Sequence, residues 1–321
     1  QAARLYLFST SAMGIAFALF RDDKALQDLV VVPTPVAPSS AWGAASDGRW
    51  CWAMNANGWY PRGGCQGEEF RELLQLLNAD ERAGVDRLLR EEDKKRSLLG
   101  RLLMHRACAM ALGHDDFTRL NIGRTLGKKP FLRSPLPDSM PNFNFNVSHD
   151  GHWVVLASDP LRLVGADVAA SQAARRDAED DTYLEDLELT LFRSEITRIR
   201  EGTSVRERYK TFQRIWSTKE AVTKAVGQGI DFGIDRIEVD LGGNISFADT
   251  IFHYLRQWWQ PDTETEVPEA KAPDVCVCID IWRRPEWRIE QALLGHDHWV
   301  SVALGPIAEM VDNNGEFAAT M

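Results

Sequence analysis

The fold is decided by Asn142-Phe143-Asn144-Phe145-Asn146-Val147-Ser148-His149-Asp150-Gly151-His152-Trp153-Val154-Val155-Leu156-Ala157. Phe143, Phe145 and Val147 alternate with Asn142, Asn144, Asn146 and Ser148, the period of a strand with one apolar and one polar face. Asp150-Gly151 marks a hairpin turn, and His152 to Ala157 reads as the return strand. Asp159-Pro160 breaks it, and Leu163 to Val168 forms another short strand, which carries Gly165 and Asp167.

Upstream, the pattern is helical. Phe70, Leu73, Leu74 and Leu77 recur at helical spacing from Glu68 onward, a second helix falls near Ala83 to Leu89, and a third runs from about Glu92 to Leu112 and stops at Gly113. Before them, Leu5 to Phe8 and Arg49 to Met54 are strand-like, residues 33–48 read as a loop or insertion, and Gly58 to Gly67 is turn-rich. Arg4 with the apolar stretch after it has a second reading, the remnant of a targeting segment.

Downstream, residues 171–190 are charged and poorly periodic, a surface connection with some helix. Val205 to Val226 follows without Gly or Pro, and Tyr209, Phe212, Ile215, Trp216, Val222 and Val226 form its apolar stripe up to Gly227. Strands are predicted at Ile234 to Leu241, near Thr250 to Trp258, and at Val275 to Trp282, Trp287 to Leu294 and Trp299 to Leu304. Residues 260–274 read as an insertion and those after Pro306 as a tail.

One self-similarity organises these elements. His152-Trp153-Val154-Val155-Leu156-Ala157 recurs loosely as His298-Trp299-Val300-Ser301-Val302-Ala303, each after a turn holding Asp and a histidine. Two related α/β halves explain it, with the cleft between them as the natural ligand site. The expectation is an α+β chain divided into an N-terminal strand region (1–67), a first half (68–159), a second half (160–305) and a tail (306–321).

Composition narrows the function classes. The 321 residues are 44% hydrophobic and 26% charged, with a net charge of −10. That balance excludes disorder over most of the length and argues against a general nucleic-acid binder. No apolar run reaches the ~18 residues of a membrane span. Within the acidic chain, Arg82, Arg87, Arg90, Lys94, Lys95, Arg96, Arg101 and Arg106 make a basic segment. It suits a small polyanion or an acidic partner, and equally a solvated helix face. Five cysteines, Cys51, Cys65, Cys108, Cys276 and Cys278, argue against a disulfide framework and for a reducing, cytoplasmic compartment.

The chemistry-bearing residues lie in two places. Glu220 and Lys224, four apart in Trp216-Ser217-Thr218-Lys219-Glu220-Ala221-Val222-Thr223-Lys224-Ala225, share a helix face and would also make an ordinary surface ion pair. Asp167, in Val164-Gly165-Ala166-Asp167-Val168-Ala169, ends a short apolar strand, where a carboxylate needs a partner or a metal, or starts a turn. If Asp167 and Glu220 converge, they make a partial site for Mg²⁺, an ion that takes one or two carboxylates plus phosphates and water. With Lys224, Ser148-His149 and the basic segment, they describe phosphoryl-type transfer.

These segments resemble the 4′-phosphopantetheinyl transferases of the larger, pseudo-dimeric type, and are similar in particular to eukaryotic members through Pro141 to His149. Arg124-Thr125 with Lys128-Lys129-Pro130, and Gly100-Arg101-Leu102, match as well. The resemblance spans roughly residues 68–305. It implies a fold of two similar α/β halves, each with a small antiparallel sheet and a long helix, with the active site in the cleft between them. It implies transfer of the phosphopantetheine arm of coenzyme A (CoA) to a serine of an apo carrier protein, with release of adenosine 3′,5′-bisphosphate, by an Mg²⁺-dependent monomer. Carried onto this chain, Asp167 and Glu220 would hold the metal, Glu220 would serve as base and Lys224 would neutralise the pyrophosphate. Ser148 and His149 would contact phosphate, and Arg82, Arg124, Lys128 and Lys129 would hold the nucleotide end. Many bacterial members carry an acid two residues after the first metal ligand, where this chain has Ala169, so Asp150 is a candidate third ligand beside its hairpin-turn reading. The basic helix near Arg96 to Arg106 is a candidate docking face for an acidic carrier. A non-catalytic CoA-binding module and a metal-dependent phosphohydrolase are the alternatives.

Overall fold

The computed structural model describes residues 29–31, 48–113, 120–170, 188–228, 232–242, 275–294 and 298–307. Within them lie strands β1 (Leu29–Val31), β2 (Trp50–Asn55), β3 (Ile122–Arg124), β4 (Pro130–Leu132), β5 (Asn144–Asp150), β6 (Trp153–Asp159) and β7 (Arg162–Ala169). The later strands are β8 (Ile237–Asp240), β9 (Cys276–Ile279), β10 (Trp282–Arg283), β11 (Arg288–Leu294) and β12 (His298–Ile307). The helices are α1 (Glu68–Leu74), α2 (Ala79–Asp86), α3 (Glu91–Leu112), α4 (Arg193–Arg200) and α5 (Val205–Val226). The fold is α+β, with small antiparallel sheets ordered β1-β2-β6-β5, β11-β12-β7, β10-β9-β8 and β3-β4.

All seven residues of β6 are buried, as are the six central residues of β7, which is why neither strand alternates in sequence. Each is covered on two sides. α3 packs on β5 and β6, and α5 packs on β7 and β12. On the faces away from those helices the two sheets share a core of Cys51, Ala53, Val155, Ala157, Val164, Ala166, Val168, Val300 and Val302. The two copies of the His-Trp-Val motif start β6 and β12, the middle strands of those sheets, and the His298 ring accepts the His152 N–H at 3.4 Å.

The polar face of β5 explains its asparagines. Asn144 accepts from Val164 N at 2.9 Å, Asn146 from Ala166 N at 3.0 Å, Ser148 from Val168 N at 3.4 Å and Asp150 from Ala170 N at 2.8 Å. Side chains at alternate positions of β5 thus satisfy alternate amides on the open edge of β7. The edge that β12 leaves unpaired is closed by side chains instead of another backbone. This ladder holds Ser148 next to Asp167.

Several predicted boundaries move, each for a local reason. The β5–β6 loop is Gly151-His152, with Asp150 already paired to Trp153. α2 starts earlier, at Ala79, because Asn78 and Glu81 form a reciprocal capping box. Residues 234–236 form a 3₁₀ turn before β8, and Asp280-Ile281 separates β9 from β10. Leu5 to Phe8, residues 33–47, residues 171–187, Thr250 to Trp258, residues 260–274 and the tail beyond 307 lie outside the described residues. No helix among the described residues is long and apolar enough to cross a membrane.

Candidate active site

Gly165 brings the two chemistry-bearing segments together. A Cβ there would lie 1.9 Å from the Ala221 carbonyl oxygen and 2.4 Å from the Ala225 nitrogen, so α5 crosses β7 in direct backbone contact. Asp167 lies two residues on along the strand, and Glu220 and Lys224 flank the crossing point on the helix. The Lys224 ammonium stands 2.5 Å from Asp167 Oδ1 and 3.8 Å from Glu220 Oε2. Ser148 completes the group, donating its hydroxyl to Asp167 Oδ1 at 2.9 Å while accepting from Lys224 at 3.1 Å. The convergence expected of Asp167, Glu220, Lys224 and Ser148 is present.

The electrostatics follow from that packing. Burial, reinforced by the negative charge of Asp167, raises the Glu220 pKa above its ordinary value against the pull of Lys224. His149 shifts the other way, through desolvation and then the repulsion of Arg96 and Lys224.

A cavity of about 370 Å³ opens beside this group, its wall drawn from α3 (Ser97, Gly100, Arg101, Met104), the β3–β4 hairpin (Arg124, Lys128, Lys129), β5 (Asn146, His149) and α5 (Lys224). Arg124, Lys128, His149 and Lys224 therefore line one space. Lys128 holds φ at +68°, a conformation that non-glycine residues seldom adopt, and its carbonyl accepts from the Arg124 guanidinium at 2.9 Å. Arg101 was not foreseen as a cavity residue. Burial depresses its pKa and the nearby Arg124 adds to the effect, so two guanidinium groups crowd one wall. In the sequence Arg101 is one of several basic residues on a helix, set apart only by the Gly100-Arg101-Leu102 match, which assigns it no role.

Three expected site residues have different employment. Lys129 borders the cavity, yet it is buried, and its ammonium donates to Val164 O at 2.8 Å, Ala225 O at 2.9 Å and Asn144 Oδ1 at 3.3 Å, which ties the interior together. Arg82 does not line the cavity, and its guanidinium donates to the Leu77 carbonyl at 2.9 Å. Asp150 accepts from Gly151 N with one oxygen and from Ala170 N with the other, the work of a turn and a ladder rung. No group of three or more Asp, Glu, His or Cys side chains gathers among the described residues. The basic segment also divides. Lys95 is buried and donates to the Trp59 carbonyl, and Arg96 reaches the Gly151 carbonyl and Asp93, whereas Arg87 and Arg90 are exposed. Lys219, next to Glu220, lies within the core, 2.7 Å from the equally buried Glu195, which anchors α4 on α5.

A cationic cavity leading to two carboxylates and a lysine, on small antiparallel sheets backed by long helices, has the layout of a protein that handles phosphate esters. Two family profiles match adjoining parts of the chain, one described as 4′-phosphopantetheinyl transferase, N-terminal, over residues 58–161, and one as 4′-phosphopantetheinyl transferase superfamily, over residues 163–271. The chain belongs to the 4′-phosphopantetheinyl transferase superfamily, and is an enzyme of that class. It is 28% identical over 262 residues to the L-aminoadipate-semialdehyde dehydrogenase-phosphopantetheinyl transferase of Xenopus laevis, covering 80% of this chain and 76% of that one. It is 33% identical over 195 residues to a phosphopantetheinyl transferase of Thraustochytrium sp. (59% of this chain, 65% of that one). Against the 4′-phosphopantetheinyl transferase of Bacillus subtilis it is 27% identical over 225 residues, 67% of this chain and 91% of that one.

Proposed function

We propose that this chain transfers the 4′-phosphopantetheine moiety of CoA to a serine of an apo carrier protein and releases adenosine 3′,5′-bisphosphate. The observation that carries the reading is the convergence of Asp167, Glu220 and Lys224 at the end of a cavity lined by Arg101, Arg124 and Lys128. CoA is a polyanion, and a wall of guanidinium and ammonium groups is how such a ligand is held.

In this reading the cavity takes the nucleotide end, with Arg124, Lys128 and Arg101 toward its phosphates, and Lys224 meets the pyrophosphate. Glu220 accepts the proton of the carrier serine, directly or through a water. The serine oxygen attacks the pantetheine-side phosphorus. The bond from that phosphorus to the bridging oxygen breaks, and the charge gained by the leaving phosphate is met by Lys224 and the cationic wall. Asp167 and Glu220 would hold Mg²⁺. The donor chemistry fits, since two hard carboxylates already flank a cation and this metal takes only one or two of them, leaving the rest of its shell to water and phosphate. When bound it supplies charge neutralisation at the pyrophosphate.

The same reading takes the chain as a cytoplasmic monomer of two similar halves, 68–159 and 160–305, with the site in the cleft between them. The shared motif at the starts of β6 and β12 and the sparse cysteines support it. The test is intact-protein mass spectrometry of an apo carrier protein incubated with the chain, CoA and Mg²⁺. A gain of one phosphopantetheine group, lost with EDTA and slowed about 10²- to 10⁴-fold in Glu220→Ala, is expected for loss of a general base. CoA binding without transfer to any of several carriers points to a binding module, and CoA cleavage without a carrier points to a hydrolase.

A further inference from the structure

Lys129 borders the cavity beside Lys128, but its ammonium is engaged on protein oxygens. It is only 4% exposed, and all three ammonium hydrogens are used, on Asn144 Oδ1, Val164 O and Ala225 O. Ala225 O is among the last four carbonyls of α5, which no amide of that helix can satisfy, and a cation there also faces the negative end of the helix. Val164 lies on the open edge of β7, three residues before Asp167. One side chain therefore joins the β3–β4 hairpin to the strand of Asp167 and the helix turn of Lys224.

Two neighbouring contacts tighten the same joint. The Thr125 hydroxyl donates to Gly227 O at 3.4 Å and accepts from Lys129 N at 3.1 Å. A Cβ on Gly127 would lie 1.9 Å from Gly227 O and 2.7 Å from the Gln228 Cα, so the loop rests directly on the backbone that ends α5. The loop between Thr125 and Lys129 carries Lys128, and Arg124 bonds back to it.

We propose that Lys129 is a positioning residue that sets the spacing between the Arg124–Lys128 wall and Lys224, so that the two separate phosphate groups of one ligand are gripped together. The inference rests on the CoA reading above and deepens it. In that reading CoA is held at both its 3′-phosphate and its pyrophosphate, and a two-point grip gains over its separate contacts only while the anchors keep a fixed separation. A ligand that reaches one anchor gains nothing from the spacing.

The experiment compares Lys129→Met with wild type in the full chain. Affinities for CoA and for adenosine 3′-monophosphate, which carries only the 3′-phosphate end, are measured by titration calorimetry at a temperature where circular dichroism shows both proteins folded. CoA affinity is expected to fall about tenfold, a loss of ~1.4 kcal/mol, while that for adenosine 3′-monophosphate stays within twofold. Equal losses for both ligands, the signature of a merely structural role, overturn the proposal, as does an unchanged CoA affinity. If Lys129→Met does not fold, Thr125→Val carries the same comparison, with a roughly threefold loss expected for CoA alone; equal losses or none again overturn it. A wild-type chain that fails to bind CoA removes the functional reading, and this inference with it.

Discussion

Gly165 shows how a missing atom positions a site. Asp167 and Glu220 are more than fifty residues apart, and they meet because the strand below α5 has no side chain at the crossing. Gly165→Ala is therefore expected to cost at least about 2 kcal/mol by urea unfolding, toward the upper range of overpacking, because the clash is with backbone that cannot rotate away. Transfer activity should fall further than stability, since the helix that moves carries Glu220 and Lys224. The acid at 167 and the lysine–glutamate spacing on the helix are readable as chemistry. Asp150 and Lys129 show the opposite. Both have the right residue type for a ligand, and both are consumed by backbone amides or carbonyls that no sequence pattern displays.

At the scale of elements, β5 is the instructive strand. Its alternation is legible, but the partner of its polar face is not, because that partner is the backbone edge of β7 rather than water. Asn146→Ala leaves the buried Ala166 amide without its acceptor and is expected to cost about 1–3 kcal/mol, measured by chemical denaturation. Removing Ser148 by contrast also touches Asp167 and Lys224, so Asn146 isolates the ladder from the chemistry. The β3–β4 hairpin supplies a pH test. Burial pushes the Lys129 pKa well below the usual lysine range, so between its folded and unfolded values the folded chain binds fewer protons than the unfolded one. Stability must then rise with pH across that window, and the advantage of wild type over Lys129→Met should grow by up to about 1.4 kcal/mol per pH unit toward the ordinary lysine pKa. Parallel pH dependences of stability for the two proteins just below the ordinary lysine pKa would contradict it.

For the whole molecule, the shared core between the β2-β6-β5 and β12-β7 strands makes each side dependent on the other. Val155 and Ala157 would face water without Val164, Ala166 and Val302. Residues 48–159 and 160–307 expressed separately are expected to lack cooperative thermal unfolding and to recover it when co-expressed, checked by circular dichroism. Two separately cooperative fragments would show that the interface is not needed for folding. The chain by itself determined its two long helices and most of its longer strands, though not β1, β3, β4 or α4, together with the end of α5 at Gly227, the two faces of β5 and the candidate acid–lysine–acid chemistry, because periodicity, caps and residue type act over a few neighbours. Only the tertiary structure decided that the Lys129 ammonium is spent on protein oxygens, that Arg101 joins the cavity while Arg82 does not, and that Asp150 is a rung. Those outcomes depend on which backbone group or charge a side chain meets across the fold, and that is settled by long-range packing.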